Sequence, residues 1–213
     1  FYICFLLCGN NSNDRKSKLM PKIIENFVDE TMLKNLWGST VCQRKWGFGQ
    51  VSDDTIQPNY PMWAQHFYDS WNQTYVDEPH LEFVKELGEK FMALPEVENF
   101  NTLIRIMLSG NTFGQDGDIH IDWPVKNESI TGVLYLNRNW EDNWGGETLV
   151  YNEDGSIFTS KIKAGNLLLF DSALPHIGKG PQRRCGELRS IIAIQAMNKE
   201  TWDNHVKKIK EKK

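Results

Sequence analysis

Two histidines and an aspartate have the residue types and the spacing that best fit a metal site in this 213-residue chain. His120 and Asp122 are separated by a single residue, so on a β-strand their side chains would point to the same face of the sheet. His176 lies far downstream, but a fold that returns distant strands to each other could bring it to the same place. Two histidines and one carboxylate form the facial triad that binds non-haem iron(II) and leaves coordination positions open.

The same three residues also have simpler explanations. A His-x-Asp tripeptide arises by chance in many chains. His120 could be a surface residue of a strand, and His176 could be an ordinary turn residue that follows Pro175. The spacing alone therefore makes a metal site plausible and leaves both alternatives open.

Arg189 is the candidate for binding an anion. It stands at the head of an otherwise apolar strand, where an unpaired charge is costly. A guanidinium in such a position can hold a carboxylate through two parallel hydrogen bonds. The alternative is an exposed arginine at a strand edge, because Arg183 and Arg184 are close to it in the sequence.

The elements that would position these residues change in character near residue 100. Before that point the sequence predicts a short strand in residues 21–27 and a helix that Asp29 caps and Gly38 ends. Residues 39–62 are typical of a loop, and residues 63–72 carry aromatic side chains at roughly helical spacing. Pro79 then opens a helix that Pro95 stops.

After residue 100, short segments rich in Ile, Leu, Val and Tyr recur between Gly, Asn and Asp residues. Strands this short and evenly spaced predict an antiparallel sandwich or barrel, and about seven or eight of them fit a jelly roll. We therefore expect a mainly β fold with flanking helices, built around a jelly roll. The predicted strands are 103–108, 119–122, 130–136, 147–151, 157–162, 166–170 and 188–196.

The domain organisation follows from length and composition. A chain of 213 residues suits one domain. Residues 1–8 form an apolar run that is too short to span a membrane, and a polar segment follows it. We interpret residues 1–19 as a disordered or non-native leader. The rest is predicted to be a single domain, residues 20–213, comprising helical support in 20–99, a jelly-roll core in 100–197 and a C-terminal helix in 198–213.

Charge and cysteine content narrow the class of protein. The formal net charge is -4 and the pI is about 5.8, which gives no electrostatic reason to expect nucleic acid binding. The four cysteines form no CxxC pair, so a zinc ribbon is not indicated. We expect reduced thiols, a cytoplasmic location and no membrane association. The sequence does not indicate an oligomeric state.

The region from about Leu103 to Met197 resembles the catalytic core of the prolyl-4-hydroxylase-like 2-oxoglutarate/iron(II) dioxygenases. Several segments match that family in order. They are HID at 120–122, ITGVLYLNRNW at 130–140, WGGET at 144–148, KAGNLLLF at 163–170, His176, and LRSIIAI at 188–194.

This resemblance implies that the jelly roll is a cupin-like double-stranded β-helix and the catalytic core, and that residues 20–213 form a single dioxygenase domain. It implies an enzyme that uses iron(II), 2-oxoglutarate and dioxygen, with ascorbate as a reductant. It implies hydroxylation of a substrate C–H bond with release of succinate and carbon dioxide. A prolyl residue of a peptide or protein is the favoured substrate, and a small molecule or another side chain is the alternative.

The resemblance also implies roles for individual residues. His120, Asp122 and His176 match the iron ligands. Arg189 matches the basic residue that pairs with the distal carboxylate of 2-oxoglutarate, and Tyr135 matches a tyrosine that hydrogen-bonds the same carboxylate.

One expected co-substrate residue is missing from this sequence. Many relatives carry a further tyrosine on the strand before the His-x-Asp segment, and this chain has none there. Ser109 and Asn111 are the candidates to replace it, and we predict Asn111 as a co-substrate residue.

Some of these residues have an alternative role. Tyr135 alternates with Val133 along its predicted strand, so plain core packing would also explain it. Trp123 could line a substrate groove or simply cap the core.

Two other classes of function are alternatives to the dioxygenase. A non-catalytic jelly-roll binding module would show a broken triad or no arginine. A metal-dependent cupin enzyme without 2-oxoglutarate would usually carry more histidines at its site.

Overall fold

Antiparallel strands form the centre of the protein, in a computed structural model that describes residues 19–43, 45–52 and 60–211. The predicted leader therefore lies outside the described residues, except for Leu19. The strands among the described residues are β1 (Lys22–Ile24), β2 (Gly47–Gln50), β3 (Met62–His66), β4 (Tyr68–Asp69), β5 (Thr74–Tyr75), β6 (Thr102–Asn111), β7 (Ser129–Tyr135), β8 (Thr148–Tyr151), β9 (Ile157–Ser160), β10 (Leu167–Asp171), β11 (His176–Gly178) and β12 (Arg189–Met197).

These strands form one large sheet, one small sheet and a hairpin. The large sheet has the order β1-β10-β7-β12-β6-β3-β2, the small one has the order β11-β8-β9, and β4 pairs with β5. The helices are α1 (Glu30–Leu36), α2 (Glu82–Met92) and α3 (Lys199–Lys210), with a π-helical turn at Trp37–Val41 and 3-10 turns at Pro79–Leu81, Pro95–Val97 and Asp142–Trp144.

Both faces of the large sheet are buried. On one face, apolar residues of α1 and α2 join Leu134, Leu167 and Ile192 in the main core. On the other face, Val133 and Leu168 belong to a second core shared with the small sheet. Successive residues of a strand point to opposite faces. The central strands are therefore buried along almost their whole length and are mostly apolar, instead of alternating strictly between apolar and polar residues.

The packing of α2 on the large sheet depends on a glycine. A side-chain Cβ at Gly132 in β7 would lie 2.5 Å from a ring carbon of Phe91, which is fully buried. Any larger residue at 132 would push the helix away from the sheet. The contact fixes β7, which lies beside β12 and β10 at the middle of the sandwich.

The architecture confirms the predicted mainly β fold with flanking helices. Asp29 caps α1 by accepting a hydrogen bond from the Met32 N–H at 2.7 Å. The predicted helix between Pro79 and Pro95 is found as the 3-10 turn followed by α2, and the predicted C-terminal helix is found as α3, capped by Asn198.

Other local predictions are wrong. Residues 63–72 form β3, β4 and a turn instead of a helix, because β3 pairs with the edge of β6. The loop predicted for 39–62 contains β2, so the supporting region 20–99 is not purely helical. Gly38 does not end α1; it lies inside the π-helical turn that continues it. Of the strand predicted at 119–122, only an isolated bridge at His120 is found.

None of the helices among the described residues is long and apolar enough to cross a membrane. Cys42 and Cys185 are free thiols, and the two other cysteines precede the described region. The cytoplasmic location remains a prediction.

Candidate active site

Backbone pairing brings His120 and His176 together. The His120 N–H donates to the His176 carbonyl at 3.0 Å, and the His176 N–H donates back to the His120 carbonyl at 2.9 Å. This antiparallel bridge sets the imidazole ring centroids 4.2 Å apart. The Asp122 N–H donates to the Ser172 carbonyl at 3.0 Å, which holds the aspartate beside them. The three side chains thus converge even though the segment around His120 is not a regular strand.

The two imidazoles present the same nitrogen to Asp122. The Nδ1 of His120 is 2.8 Å from the Asp118 carbonyl, and the Nδ1 of His176 is 3.0 Å from the Leu174 carbonyl. A carbonyl oxygen can only accept, so each Nδ1 carries the hydrogen and each Nε2 keeps a free lone pair. These Nε2 atoms lie 3.9 Å and 3.6 Å from the carboxylate oxygens of Asp122. Two imidazoles and one carboxylate with such outer hydrogen bonds fit an iron(II) ion.

Asp122 is buried but remains ionised. Its Oδ1 accepts a hydrogen bond from Arg105 Nη2 at 2.6 Å, and its Oδ2 accepts one from the Thr131 hydroxyl at 2.7 Å. Burial opposes ionisation, but Arg105, the two histidines and Thr131 together outweigh it and hold the pKa of Asp122 well below its usual range. A carboxylate that is ionised in advance needs to release no proton when it binds a metal.

His176 is also prepared for metal binding. Burial lowers its pKa to about 4, despite the opposing charge of Asp122. The imidazole is therefore neutral at physiological pH, which is the state that coordinates metals.

Arg189 lies in the same cavity as the triad. The cavity, of about 120 Å³, is lined by His120, Asp122, His176 and Arg189, among others. The guanidinium is almost fully buried, and its Nε donates to the Gly146 carbonyl at 2.7 Å. Because it is buried and aimed at the cavity, Arg189 is not the exposed edge arginine that was the alternative.

The strand that carries His176 also makes room for Arg189. Gly178 lies two residues after His176 on β11, and a Cβ at Gly178 would be only 3.3 Å from both terminal nitrogens of Arg189. The absence of a side chain there lets the guanidinium reach the cavity close to the metal ligands.

Asn111 stands beside Arg189, as the register of β12 on β6 requires. Its Oδ1 accepts from Arg189 Nη1 at 3.3 Å, and its Nδ2 donates to the Gln115 carbonyl. Ser109 lies on the same face of β6 and also lines the cavity. The structure therefore leaves both candidates for the missing tyrosine in contact with the site.

Tyr135 is placed differently from Asn111. Its hydroxyl lies 3.0 Å from Thr148 Oγ1 and 2.8 Å from Ser160 Oγ, and the residue is fully buried. The residues that line the cavity include Thr148 but not Tyr135. Thr148 Oγ1 also accepts from Arg189 Nη2 at 2.9 Å, so Tyr135 is connected to Arg189 through Thr148.

Sequence reasoning missed Arg105, Thr131 and Thr148. Arg105 is a single charge in the middle of the apolar segment LIRIML, and an isolated charge in a buried strand is a signal that could have found it. Thr131 and Thr148 lie in apolar strands with no such signal. Trp123 lies at a second cavity behind Asp122, where its ring contacts His205 at 4.9 Å between centroids.

Comparison of the sequence with known protein families indicates which reaction this site supports. Residues 106–194 match the model of the 2OG-Fe(II) oxygenase superfamily. This region matches a 2OG-Fe(II) oxygenase. The matched region spans β6 to β12 and contains the three metal-ligand candidates and Arg189, and the superfamily implies iron(II), 2-oxoglutarate and dioxygen. The resemblance stated from sequence is thereby confirmed, and the match supports a dioxygenase.

Several solved structures share the fold of this protein. A prolyl hydroxylase from Trichoplax adhaerens, described in complex with a peptide fragment of hypoxia inducible factor, is 20% identical with a TM-score of 0.66, and the match covers 84% of each chain. A prolyl-4-hydroxylase from Pseudomonas putida is 16% identical with a TM-score of 0.64, covering 85% of this chain and 94% of that one. A 2OG-Fe(II) oxygenase family protein from Burkholderia pseudomallei is 12% identical with a TM-score of 0.65, covering 84% and 85%.

These neighbours establish the double-stranded β-helix. A search of curated protein sequences gives no match.

Proposed function

We propose that this oxygenase binds iron(II) through His120, Asp122 and His176 and hydroxylates a C–H bond of its substrate while 2-oxoglutarate is converted to succinate and carbon dioxide. The observation that carries the proposal is the convergence of two lone-pair Nε2 atoms on an ionised carboxylate, in one cavity with a buried guanidinium. The bound iron supplies the redox chemistry that activates dioxygen.

The other end of the cavity holds the co-substrate in this proposal. Arg189 receives the distal carboxylate of 2-oxoglutarate, because it is the cation at that end and its buried position strengthens a charge-assisted hydrogen bond. Asn111 and Thr148 orient the guanidinium through their oxygens. Tyr135 acts behind Thr148 as a positioning residue. Burial raises the pKa of Tyr135, so its hydroxyl keeps the hydrogen.

The protein contributes geometry and a largely dry pocket to the reaction. Apolar side chains from β6, β7 and β12 line the space between the two ends, among them Met107, Val133 and Ile191. They exclude bulk water from the reacting atoms and so limit side reactions. Arg105 and Thr131 keep Asp122 oriented through one hydrogen bond each.

We propose a prolyl residue of a peptide or protein as the substrate. The likeness in fold to two prolyl hydroxylases supports this choice, one of them described with a bound peptide. A small molecule or another side chain remains the alternative substrate, because loops that select substrates vary on a shared fold.

The first experiment measures succinate and carbon dioxide formed from 2-oxoglutarate with iron(II) and ascorbate. We expect slow uncoupled turnover by the wild type and none by His120→Ala. His80→Ala is the matched control, since His80 is a surface residue that contacts Glu78 and is absent from the cavity lining. Equal turnover by wild type and His120→Ala, or none in wild type, would contradict the proposed chemistry.

The second experiment tests the substrate. A library of proline-containing peptides is compared with the same peptides carrying alanine in place of proline, and mass spectrometry detects the gain of one oxygen atom. Stimulated succinate formation that depends on proline supports the prolyl assignment. Stimulation by small molecules alone would leave the chemistry intact and overturn the prolyl substrate.

A further inference from the structure

Arg105 has no part in the co-substrate site, yet it faces the reaction cavity. It lies on β6 with Met107, Ser109 and Asn111 at two-residue intervals, and all four line the cavity. A strand places such residues on one face. Of these four residues, Arg105 contacts Asp122 directly, with its Nη2 2.6 Å from Asp122 Oδ1, and its side chain is 31% exposed.

The hydrogen-bonding capacity of Arg105 is mostly unused. Its Nη2 donates to Asp122 Oδ1, but its Nε is buried and has no hydrogen-bond partner. Its Nη1 makes no hydrogen bond with any described residue. A guanidinium carries five N–H donors in a rigid fork that matches a carboxylate. A charged donor group without its full set of partners is costly, and the Arg105 side chain lines the cavity and is partly exposed, so a ligand in the cavity can supply an acceptor.

The charges around the site indicate what that ligand is. Among the described residues that line this cavity or the adjoining one, those that carry a full charge at neutral pH are Arg105, Asp122 and Arg189. An iron(II) ion and a doubly charged 2-oxoglutarate cancel each other, which leaves the two arginines against one aspartate. Counted over these described residues, the loaded site carries one positive charge, and a substrate with one negative charge would complement it.

The adjoining cavity offers a place for the rest of such a substrate. The volume of this cavity is about 330 Å³. Arg105 and Asp122 line both cavities, so their ion pair lies where the two cavities adjoin. The aromatic side chains in its lining are Tyr68, Trp123 and Trp202. A carboxylate that reaches Arg105 can therefore leave an apolar or cyclic group packed against aromatic rings.

We propose that Arg105 binds a carboxylate of the substrate, and that the substrate of this oxygenase is accordingly a carboxylic acid or an acidic peptide. The inference rests on the proposed function, since it names the substrate class of that same site. Arg105 then has two partners: one N–H of Nη2 holds Asp122, and the remaining N–H groups of the guanidinium receive the substrate anion.

The test compares carboxylates with their uncharged amides. Zinc(II) replaces iron and 2-oxoglutarate is saturating, so no turnover occurs and Arg189 is occupied. The probes are 3-phenylpropionate and 3-phenylpropionamide, titrated while tryptophan fluorescence is followed, because Trp123 and Trp202 line the adjoining cavity. We expect the acid to bind about tenfold more tightly than the amide, as a charge-assisted hydrogen bond implies.

Variants test whether Arg105 causes the tighter binding of the acid than of its amide. Arg105→Gln should abolish this acid preference, and Arg105→Lys should keep part of it. Arg138→Gln should keep the full acid preference. This substitution removes the same charge at the surface, where Arg138 pairs with Glu30. A preference that survives in Arg105→Gln overturns the proposal.

Two further pairs identify the source of the carboxylate. N-acetylproline is compared with N-acetylprolinamide for a chain end, and N-acetyl-Asp-Pro-amide with N-acetyl-Asn-Pro-amide for a side chain. The pair with the largest acid-to-amide ratio names the source. Equal binding of acid and amide by the wild type in every pair assigns Arg105 to Asp122 alone and overturns the proposal.

The outcome of this binding test is independent of whether the protein forms succinate from 2-oxoglutarate. Succinate formation by the iron-loaded wild type without any acid preference would refute only the role of Arg105. An acid preference without succinate formation would refute only the proposed function.

Discussion

The two ends of the reaction cavity are built in different ways. At the metal end, backbone hydrogen bonds bring His120 and His176 together and backbone carbonyls orient both rings. At the co-substrate end, Arg189 is held mainly by side-chain oxygens, those of Asn111 and Thr148. The metal end therefore keeps its shape when neighbouring side chains change, but loses its chemistry with any one ligand. The co-substrate end shares its function among several side chains, so single changes should have graded effects.

The largest expected effect is at the metal end. His176→Ala removes one of three donor groups while the backbone bridge to His120 remains, so the fold should persist. Loss of even an outer partner of a metal ligand costs about 10- to 100-fold in affinity, so loss of the ligand itself should cost at least about 100-fold. Titration with manganese(II), followed by electron paramagnetic resonance, measures this. Unchanged manganese affinity would show that the metal binds elsewhere.

Arg189→Gln should have the next largest effect, and on a different ligand. A charge-assisted hydrogen bond contributes roughly 1.5–3 kcal/mol, so the affinity for 2-oxoglutarate should fall roughly 10- to 100-fold. Manganese affinity should be nearly unchanged, because Arg189 makes no hydrogen bond to the triad. Calorimetric titration of the zinc-loaded protein provides both the affinity and a check that the variant is folded. A parallel loss of metal and 2-oxoglutarate binding would remove the distinction between the two ends.

The metal end should also make the stability of the metal-free protein depend on pH. The pKa of His176 is lowered to about 4 from 6.5, mainly by burial. Below pH 6.5 the unfolded chain binds a proton here that the folded chain does not, so this group destabilises the fold as the pH falls from 6.5 to about 4. A shift of this size corresponds to about 3 kcal/mol.

Urea denaturation between about pH 7.5 and 4.5 measures that loss. The free energy of unfolding should decline less steeply in His176→Asn than in wild type, and His80→Asn should behave like wild type. Asp122 does not interfere in this range, because its lowered pKa means that its contribution is lost only at more acidic pH. Parallel curves for wild type and His176→Asn would mean that another group carries the dependence.

The smallest expected effects distinguish the role of Thr148 in 2-oxoglutarate binding from that of Tyr135. Thr148→Val removes an oxygen that contacts both Arg189 and Tyr135, so 2-oxoglutarate affinity should fall about tenfold. Tyr135→Phe removes a hydroxyl that lies one residue further back, and the expected loss is only about two- to fivefold. A larger loss in Tyr135→Phe than in Thr148→Val would mean that Tyr135 touches the co-substrate directly, as the sequence resemblance implies.

The sequence predicted the metal end better than its surroundings. His120, Asp122 and His176 were singled out from residue type and order, and Arg189 from a charge beside an apolar strand. The same reasoning applied to LIRIML would have selected Arg105. It was missed because no partner for it is visible in the sequence; Asp122 becomes its partner only when β6 lies beside the triad.

The local predictions that failed did so where pairing overrides sequence pattern. Residues 63–72 have aromatic spacing compatible with a helix, but the edge of β6 offers unpaired backbone groups to β3. Hydrogen bonding to that edge outweighs the weak local preference. The strand at His176–Gly178 was likewise missed, since three residues carry too little pattern to identify a strand.

The sequence by itself determined the class of fold, and it singled out the candidate metal ligands and the cation proposed to bind the co-substrate, because these depend on residue chemistry and on the order of short apolar segments. Only the tertiary structure decided which atoms meet. The Nε2 atoms face Asp122 because backbone carbonyls occupy both Nδ1 atoms. Arg105 faces the cavity with unused donors because β6 pairs with β12 in one register. Contacts of this kind join residues far apart in the chain, and no local pattern encodes the distance between them.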